Sequence, residues 1–240
     1  MSAQSVHAFA EKVALITDGA SSIGRAVALQ LALQGCYVIV GFSRISEESR
    51  HALAELENLG TLASAVEADI STVDGAKKLV GEVEKMFGRL DLLVNCLNFR
   101  SDSAFEETTE DIYKQTFDAN LKATFFVTQE AARLMKHRPK PKIVNVTSAV
   151  DTPETEANVL FASSQKALLG LTKSLAAGLP KNFRVNAVAL SEKQPELEDN
   201  LDAELFRPKK AISEDDAART IVYLLSPEAI ALNGQILRIA

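Results

Sequence analysis

The chain has 240 residues, 47% of them hydrophobic and 24% charged, with a formal net charge of -6. That length and apolar share suit a single globular domain with a sizeable core, and the acidic balance excludes nucleic acid or an anionic membrane surface as the main partner. The opening residues, MSAQSVHAFAEK, have neither a basic start nor an apolar run, and no later stretch approaches the roughly 18 apolar residues of a membrane span, so a cytoplasmic protein is expected.

In chain order, the first apolar run, Val13 to Thr17, breaks at the turn DGASS and passes into a helical pattern over Ser22 to Gln34. Strand-like runs follow at Tyr37 to Gly41, Leu62 to Glu67, Leu90 to Asn95, Ile143 to Thr147, Arg184 to Ala189 and Gln235 to Ile239. Helical patterns separate them at Glu47 to Leu59, Val73 to Phe87, Glu110 to Lys136, Leu160 to Ala177 and Glu214 to Leu225. The strand runs are nearly continuous in apolar residues, as strands covered on both faces must be. Strict alternation of strand and helix predicts an α/β fold: one doubly wound, Rossmann-like domain over residues 1–240, with a seven-stranded parallel sheet and helices on both faces.

In such a fold, ligands gather at the carboxyl ends of the strands, near the point where the strand order reverses. The turns to inspect are therefore Thr17 to Gly24, Phe42 to Ser46, Asp69 to Ile70, Asn95 to Arg100, Ser148 to Thr152, and Leu190 onward. The two cysteines, Cys36 and Cys96, lack the clustered spacing of a zinc site or redox pair, so reduced, buried thiols and no metal are expected.

Several stretches together resemble the short-chain dehydrogenase/reductase family, close to its oxoacyl-carrier-protein reductase type, over essentially the whole chain. They are the turn Thr17 to Ala26, ADIS at 68–71, LDLLVN at 90–95, NLKATFFVTQEA at 120–131, KIVNVTS at 142–148, ALLGLTKSLA at 167–176, RVNAVA at 184–189 and NGQILRI at 233–239. The resemblance implies NAD(P)-dependent hydride transfer assisted by an Asn, a Ser, a Tyr and a Lys. The Asn falls on Asn120 and the Ser on Ser148, but the Tyr and Lys positions hold Phe161 and Gln165. Phe161 has no proton to give a developing alkoxide, and an uncharged Gln165 can bind a ribose hydroxyl without lowering a neighbour's pKa. Lys166 points about 140° away from residue 161 on the helix and reads as a solvated charge. No other tyrosine or histidine falls on the cleft: Tyr37, Tyr113 and Tyr223 belong to the second strand, the start of the long helix and the last helix, and His7, His51 and His137 to the N-terminus and outer helical segments.

The remaining strand ends depart from the family pattern too. Asn-Asn-Ala-Gly becomes Asn95-Cys96-Leu97-Asn98, Pro-Gly becomes Leu190-Ser191, and the polar segment SEKQPELEDNLDAELFRPKK reads as a solvated or partner-contacting loop. In the first turn the family's three glycines fall on Asp18, Ser22 and Gly24, with an extra Gly19. A carboxylate about 4 Å from a phosphate charge costs about 1 kcal/mol in water and about 4 kcal/mol at an effective dielectric of 20. Asp18 or Ser21 is therefore expected to cap the helix and occupy donors that a pyrophosphate would use.

The resemblance assigns coenzyme contacts to Asp18, Gly19, Ser22, Ile23, Gly24, Arg44, Asp69, Ile70 and Asn95, with Arg44 placed for a 2′-phosphate. Given the lost glycines, no coenzyme or only weak NADP(H) binding is expected. Apolar periodicity persists while substitutions concentrate at the chemical strand ends. The expected function is accordingly a non-catalytic subunit or partner of an NAD(P)-dependent oxidoreductase, forming homo- or hetero-oligomers with an intact relative, without nucleic acid or membrane partners. The alternatives are a slow NADP-dependent carbonyl or oxoacyl reductase and a ligand-binding regulatory module.

Overall fold

The computed structural model describes residues 8–44, 46–58, 63–101, 103–149, 158–191 and 213–239. Its strands are β1 (Val13–Thr17), β2 (Tyr37–Phe42), β3 (Ala63–Glu67), β4 (Leu92–Asn95), β5 (Lys142–Ser148), β6 (Arg184–Leu190) and β7 (Ile236–Ile239). The helices are α1 (Ser22–Leu33), α2 (Glu47–Asn58), α3 (Val73–Phe87), α4 (Glu110–Phe117), α5 (Ala123–Met135), α6 (Val159–Gly178) and α7 (Glu214–Leu225). All seven strands run parallel in the order β3-β2-β1-β4-β5-β6-β7. The chain order reverses between β1 and β4, which places the crevice of this fold at their carboxyl ends, where Thr17 pairs with both Gly41 and Asn95.

Successive side chains of each strand enter opposite cores, which explains why the runs are apolar without alternation. Ala14, Ile16, Val38, Val40, Leu92, Val94 and Val144 meet α1 and α7 through Val27, Leu31, Ile221 and Leu225. Val13, Leu15, Ile39, Leu93 and Ile143 meet α3 and α5 through Leu79, Val83, Val127 and Met135. At the amino ends of the strands, opposite the crevice, buried Asp91 accepts from the Val13 amide at 3.1 Å and pairs with Arg138 at 2.7 Å, fixing where β1 begins.

Two sequence expectations change. β4 begins at Leu92, two residues later than the apolar run suggests, and Asp91 just before it donates its amide to the Val13 carbonyl, accepts from the Lys142 amide and turns its carboxylate to the Val13 amide. The long helix over Glu110 to Lys136 is interrupted by a π-helical turn, Asp118–Lys122, before α5 resumes at Ala123 and ends at Met135. An inserted π turn re-aims one side chain out of helical register, here Asn120. Residues 59–62, 150–157 and 192–212, which carry the start of the third strand run, part of the turn after Ser148 and the polar segment, lie outside the described residues, as do the first seven.

The β1-α1 turn requires glycine at its end. A Cβ on Gly24 would lie 2.4 Å from the Asp18 carbonyl oxygen, and one on Gly19 would lie 2.6 Å from Val40 Cβ. Gly24→Ala is expected to destabilise the protein by about 2 kcal/mol through this overpacking, read as a lower midpoint in urea with an unchanged slope. An unchanged midpoint would show that the turn relaxes freely.

Candidate active site

The turn after β1 is built from its own backbone. Asp18 has φ +52°, a left-handed conformation that Asp tolerates better than most residues, and its carbonyl accepts from the Ser21 amide at 3.1 Å and hydroxyl at 2.7 Å. Ser21 is the N-cap of α1, its Oγ accepting from the Gly24 amide at 3.1 Å. Of the two expected caps, then, Ser21 caps with its side chain, while Asp18 contributes only its carbonyl. Ser22 and Ile23 sit at the first two positions of α1, where amides have no intrahelical acceptor, so the cap leaves donors available to a phosphate.

Two cavities, of about 300 and about 230 Å³, meet at this turn. The larger lies among Asp18, Ser43, Asp69, Ile70, Asn98 and Phe99, and the smaller among Asp18, Ser22, Cys96, Asn98, Ser148 and Leu190. Asp18 and Asn98 line both. Arg44 is exposed just past the carboxyl end of β2, next in sequence to Ser43, which lines the larger cavity. Asp69 Oδ1 accepts from the Ser71 amide at 3.1 Å and hydroxyl at 2.6 Å, and its carbonyl lies where Gly75 of α3 admits no side chain. Asn95 points elsewhere than expected: its Nδ2 donates to Asn145 at 2.8 Å and Thr128 at 3.1 Å, joining β4 to β5 and α5 in a buried polar ladder.

Of the four catalytic-motif positions, Ser148 and Gln165 are in direct contact, and Asn120 reaches α6 through Ser164. Ser148 ends β5, and its hydroxyl is 3.2 Å from Asn98 Nδ2, which donates to it. Gln165 is fully buried on α6, with Oε1 accepting from the Ser148 amide at 2.9 Å and the Thr147 hydroxyl at 2.7 Å. Its Nε2 is buried without a partner among the described residues. Lys166, next in sequence, is exposed, as helical geometry requires.

Phe161, the first buried residue of α6, packs with Ala162 apart from both main cores, and the Arg100 guanidinium lies 5.4 Å from its ring centroid. Asn120, carried by the π turn, accepts from the Phe99 amide at 2.7 Å and donates to the Phe99 carbonyl at 2.8 Å and to Ser164 Oγ at 2.9 Å. Asn158 donates to the Ser101 carbonyl. Asn98, Asn120 and Asn158 thus hold residues 98–101 as one wall of the cleft. The sequence marked Asn98 only as bulkier than glycine, and gave no signal for Ser164 or Asn158, whose partners lie 44 and 57 residues away.

Burial pushes the Asp18 carboxyl above its ordinary range, and burial with the neighbouring Asp18 charge pushes the Cys96 thiol up. Both cysteines are buried and unpaired, and among the described residues no cluster of His, Cys, Asp or Glu could hold a metal ion. Tyr113 stacks on Phe117 and Tyr37 on Phe87, Tyr223 is exposed on α7, and none reaches the cleft. Among the described residues no helix is long and apolar enough to cross a membrane.

A reversed-order parallel sheet, a capped glycine turn at its switch point and a polar cleft at the strand ends define a doubly wound nucleotide-fold protein of the dehydrogenase kind. The chain belongs to the short-chain dehydrogenase/reductase family, whose short chain dehydrogenase model matches residues 12–205. It is 30% identical over 236 residues to the 3-oxoacyl-(acyl-carrier-protein) reductase of Staphylococcus epidermidis, covering 95% of this chain and 97% of that protein. It is 32% identical over 237 residues to the same-named enzyme of Thermotoga maritima, covering 95% and 96%.

Among solved structures it resembles a short chain dehydrogenase from Burkholderia cenocepacia in complex with NADP, with a TM-score of 0.84, 29% identity, and 98% and 97% of the two chains covered. It also resembles a variant of actinorhodin polyketide ketoreductase with NADPH, with a TM-score of 0.84, 26% identity, and 96% of each chain covered. The expectation of no coenzyme or only weak NADP(H) binding is corrected by these relatives, which carry NADP and NADPH on the same fold over nearly its whole length. The physical reason lies in the turn: the cap takes the Gly24 amide, and the donors at Ser22 and Ile23 survive the loss of glycines.

Proposed function

We propose that residues 1–240 act as one cytoplasmic domain that binds NADP(H) and reduces carbonyl substrates of the 3-oxoacyl class, with chemistry slowed by the phenylalanine at position 161. The observation that carries the reading is Gln165: fully buried, tied to Ser148 and Thr147 through Oε1, and left with an unsatisfied Nε2 that a ribose hydroxyl would complete. A buried donor without a partner costs about 1–3 kcal/mol, and a coenzyme sugar offers acceptors of the right kind. Ser22, Ile23 and Gly24 would face the pyrophosphate, Asp69 and Ile70 the adenosine end, and Arg44 a 2′-phosphate.

The coenzyme, when bound, supplies or accepts the hydride. The chain's own residues orient the carbonyl and steady its oxygen. Ser148 offers its hydroxyl to that oxygen, and Asn98 holds the hydroxyl from the other side. Asn120 keeps the facing wall in place through both backbone groups of Phe99. Phe161 donates nothing, so the alkoxide takes its proton from water. A positioned acid contributes about 100- to 10,000-fold, which sets the size of the handicap.

A second reading, an NADP(H)-carrying subunit that leaves chemistry to an intact relative, is favoured by the packing of Phe161 beneath Arg100, which closes the place of the missing acid with apolar surface. Steady-state oxidation of NADPH with acetoacetyl thioesters by the purified chain separates the two. Slow turnover abolished in Ser148→Ala supports the reductase. Saturable NADPH binding without turnover above background overturns it in favour of the subunit, which co-expression with an intact relative and sizing of the product would then test.

A further inference from the structure

Asp18 stands where the two cleft cavities join, so a ligand extending through both passes its side chain. Its backbone makes the bonds of the turn, while its carboxyl accepts no hydrogen bond and pairs with no cation among the described residues. Among the described residues, no Lys, Arg or His lines either cavity. Among the described residues, the titratable neighbours are Asp69, occupied by Ser71, and the buried Cys96 thiol, and α1, β5, β6 and the π turn contribute only neutral groups there. Partial burial without a compensating cation favours the neutral acid, and the charge of a pyrophosphate acts in the same direction. Ionised, the group would weaken such a ligand by one to three orders of magnitude; neutral, its O–H is a donor.

We propose that Asp18 enters the coenzyme site as a neutral carboxylic acid and a hydrogen-bond donor to the pyrophosphate, so that binding of NADP(H) takes up one proton from solvent. The inference rests on the NADP(H) reading above. It makes Asp18 a coenzyme contact that couples occupancy to pH, where a glycine would be indifferent.

The test is calorimetric titration of NADPH between about pH 5.5 and 8.5, in buffers of differing ionisation enthalpy, into the wild type, Asp18→Asn and Asp18→Gly. Both replacements tolerate the left-handed backbone of this position, so the turn is retained. The 2′-phosphate of NADPH titrates equally in all three proteins, and the difference between them isolates residue 18. For the wild type we expect net proton uptake and a Kd that climbs with pH at least about tenfold more than in Asp18→Asn across this window, one linked proton allowing at most tenfold per pH unit.

A second readout needs no coenzyme. Because burial raises the pKa of Asp18 in the folded state, its charge opposes folding once pH exceeds the unfolded value, and wild-type stability grows as pH falls through the folded value. Asp18→Asn should therefore have a higher Tm than wild type near pH 7, with the gap closing in acid. Identical pH slopes of Kd, or no net proton uptake, would overturn the role of Asp18 while leaving coenzyme binding intact. An absence of NADPH binding in all three proteins at every pH would instead remove the coenzyme reading on which it rests.

Discussion

The double variant Phe161→Tyr/Gln165→Lys is expected to reduce acetoacetyl thioesters about 100- to 10,000-fold faster than the wild type, the range that a positioned general acid supplies. The two positions are four apart on α6 and both fully buried, with Gln165 bonded to Ser148. A phenol at 161 would lie under the Arg100 guanidinium, whose charge, with that of a lysine at 165, favours the phenolate and so brings the acid toward the operating pH. The change has a structural cost. Lysine cannot accept from the Ser148 amide and Thr147 hydroxyl as Gln165 Oε1 does, and the coenzyme-free variant should lose about 2 kcal/mol of stability. NADPH oxidation followed with and without the thioester gives the rate, and urea unfolding gives the cost. A folded double variant no faster than the wild type would show that Ser148 and Asn98 do not hold a carbonyl in a reactive position.

Asn120→Ala should be the most damaging single substitution in the cleft, with a loss of about 3 kcal/mol in stability and a weaker hold on NADPH. Asn120 is fully buried and satisfies three groups at once: the amide and carbonyl of Phe99 and the hydroxyl of Ser164. Truncation strands those partners, Ser164 in the buried interior and Phe99 in a half-buried wall, each at up to about 1–3 kcal/mol before relaxation. It also releases residues 98–101, and with them the amide of Asn98 that steadies Ser148. Asn120→Asp keeps the acceptor for Phe99 and loses the two donated bonds, so it should fall between wild type and alanine. Chemical denaturation with a parallel NADPH titration checks both parts, and stability within 0.5 kcal/mol of wild type, the ordinary range for a surface change, would contradict the anchoring role.

Much of this molecule is legible in its sequence because the determinants are periodic. Continuous apolar runs such as ALI in β1 and VIV in β2 can form only where both faces of a strand are covered, and their alternation with amphipathic segments dictates a parallel sheet. That Phe161 and Gln165 share the helix after Ser148 was legible for the same reason, because it is a matter of spacing along β5 and α6. What the sequence left hidden are pairings across the fold. Asn98 meeting Ser148 and Asn120 gripping Phe99 depend on how β4, β5 and the π turn converge, and nothing local in either segment announces it. The π turn itself looks helical in pattern, since one extra residue per turn is too small a change to disturb apolar periodicity over twenty-odd positions. Asp18 misled in a related way. As a charge in the pyrophosphate turn it argued against a coenzyme, whereas the folded turn caps α1 with Ser21 and pushes the Asp18 carboxyl toward its neutral form.

The central claim, that this degenerate-looking cleft is a coenzyme site completed by Gln165, is tested most directly by titrating NADPH into the purified wild type and Gln165→Leu. The account predicts saturable binding of one NADPH per chain in the wild type and at least about tenfold weaker binding in the variant, the loss of roughly one hydrogen bond to a ribose hydroxyl. Equal affinities in the two proteins, or no binding by the wild type, would contradict it.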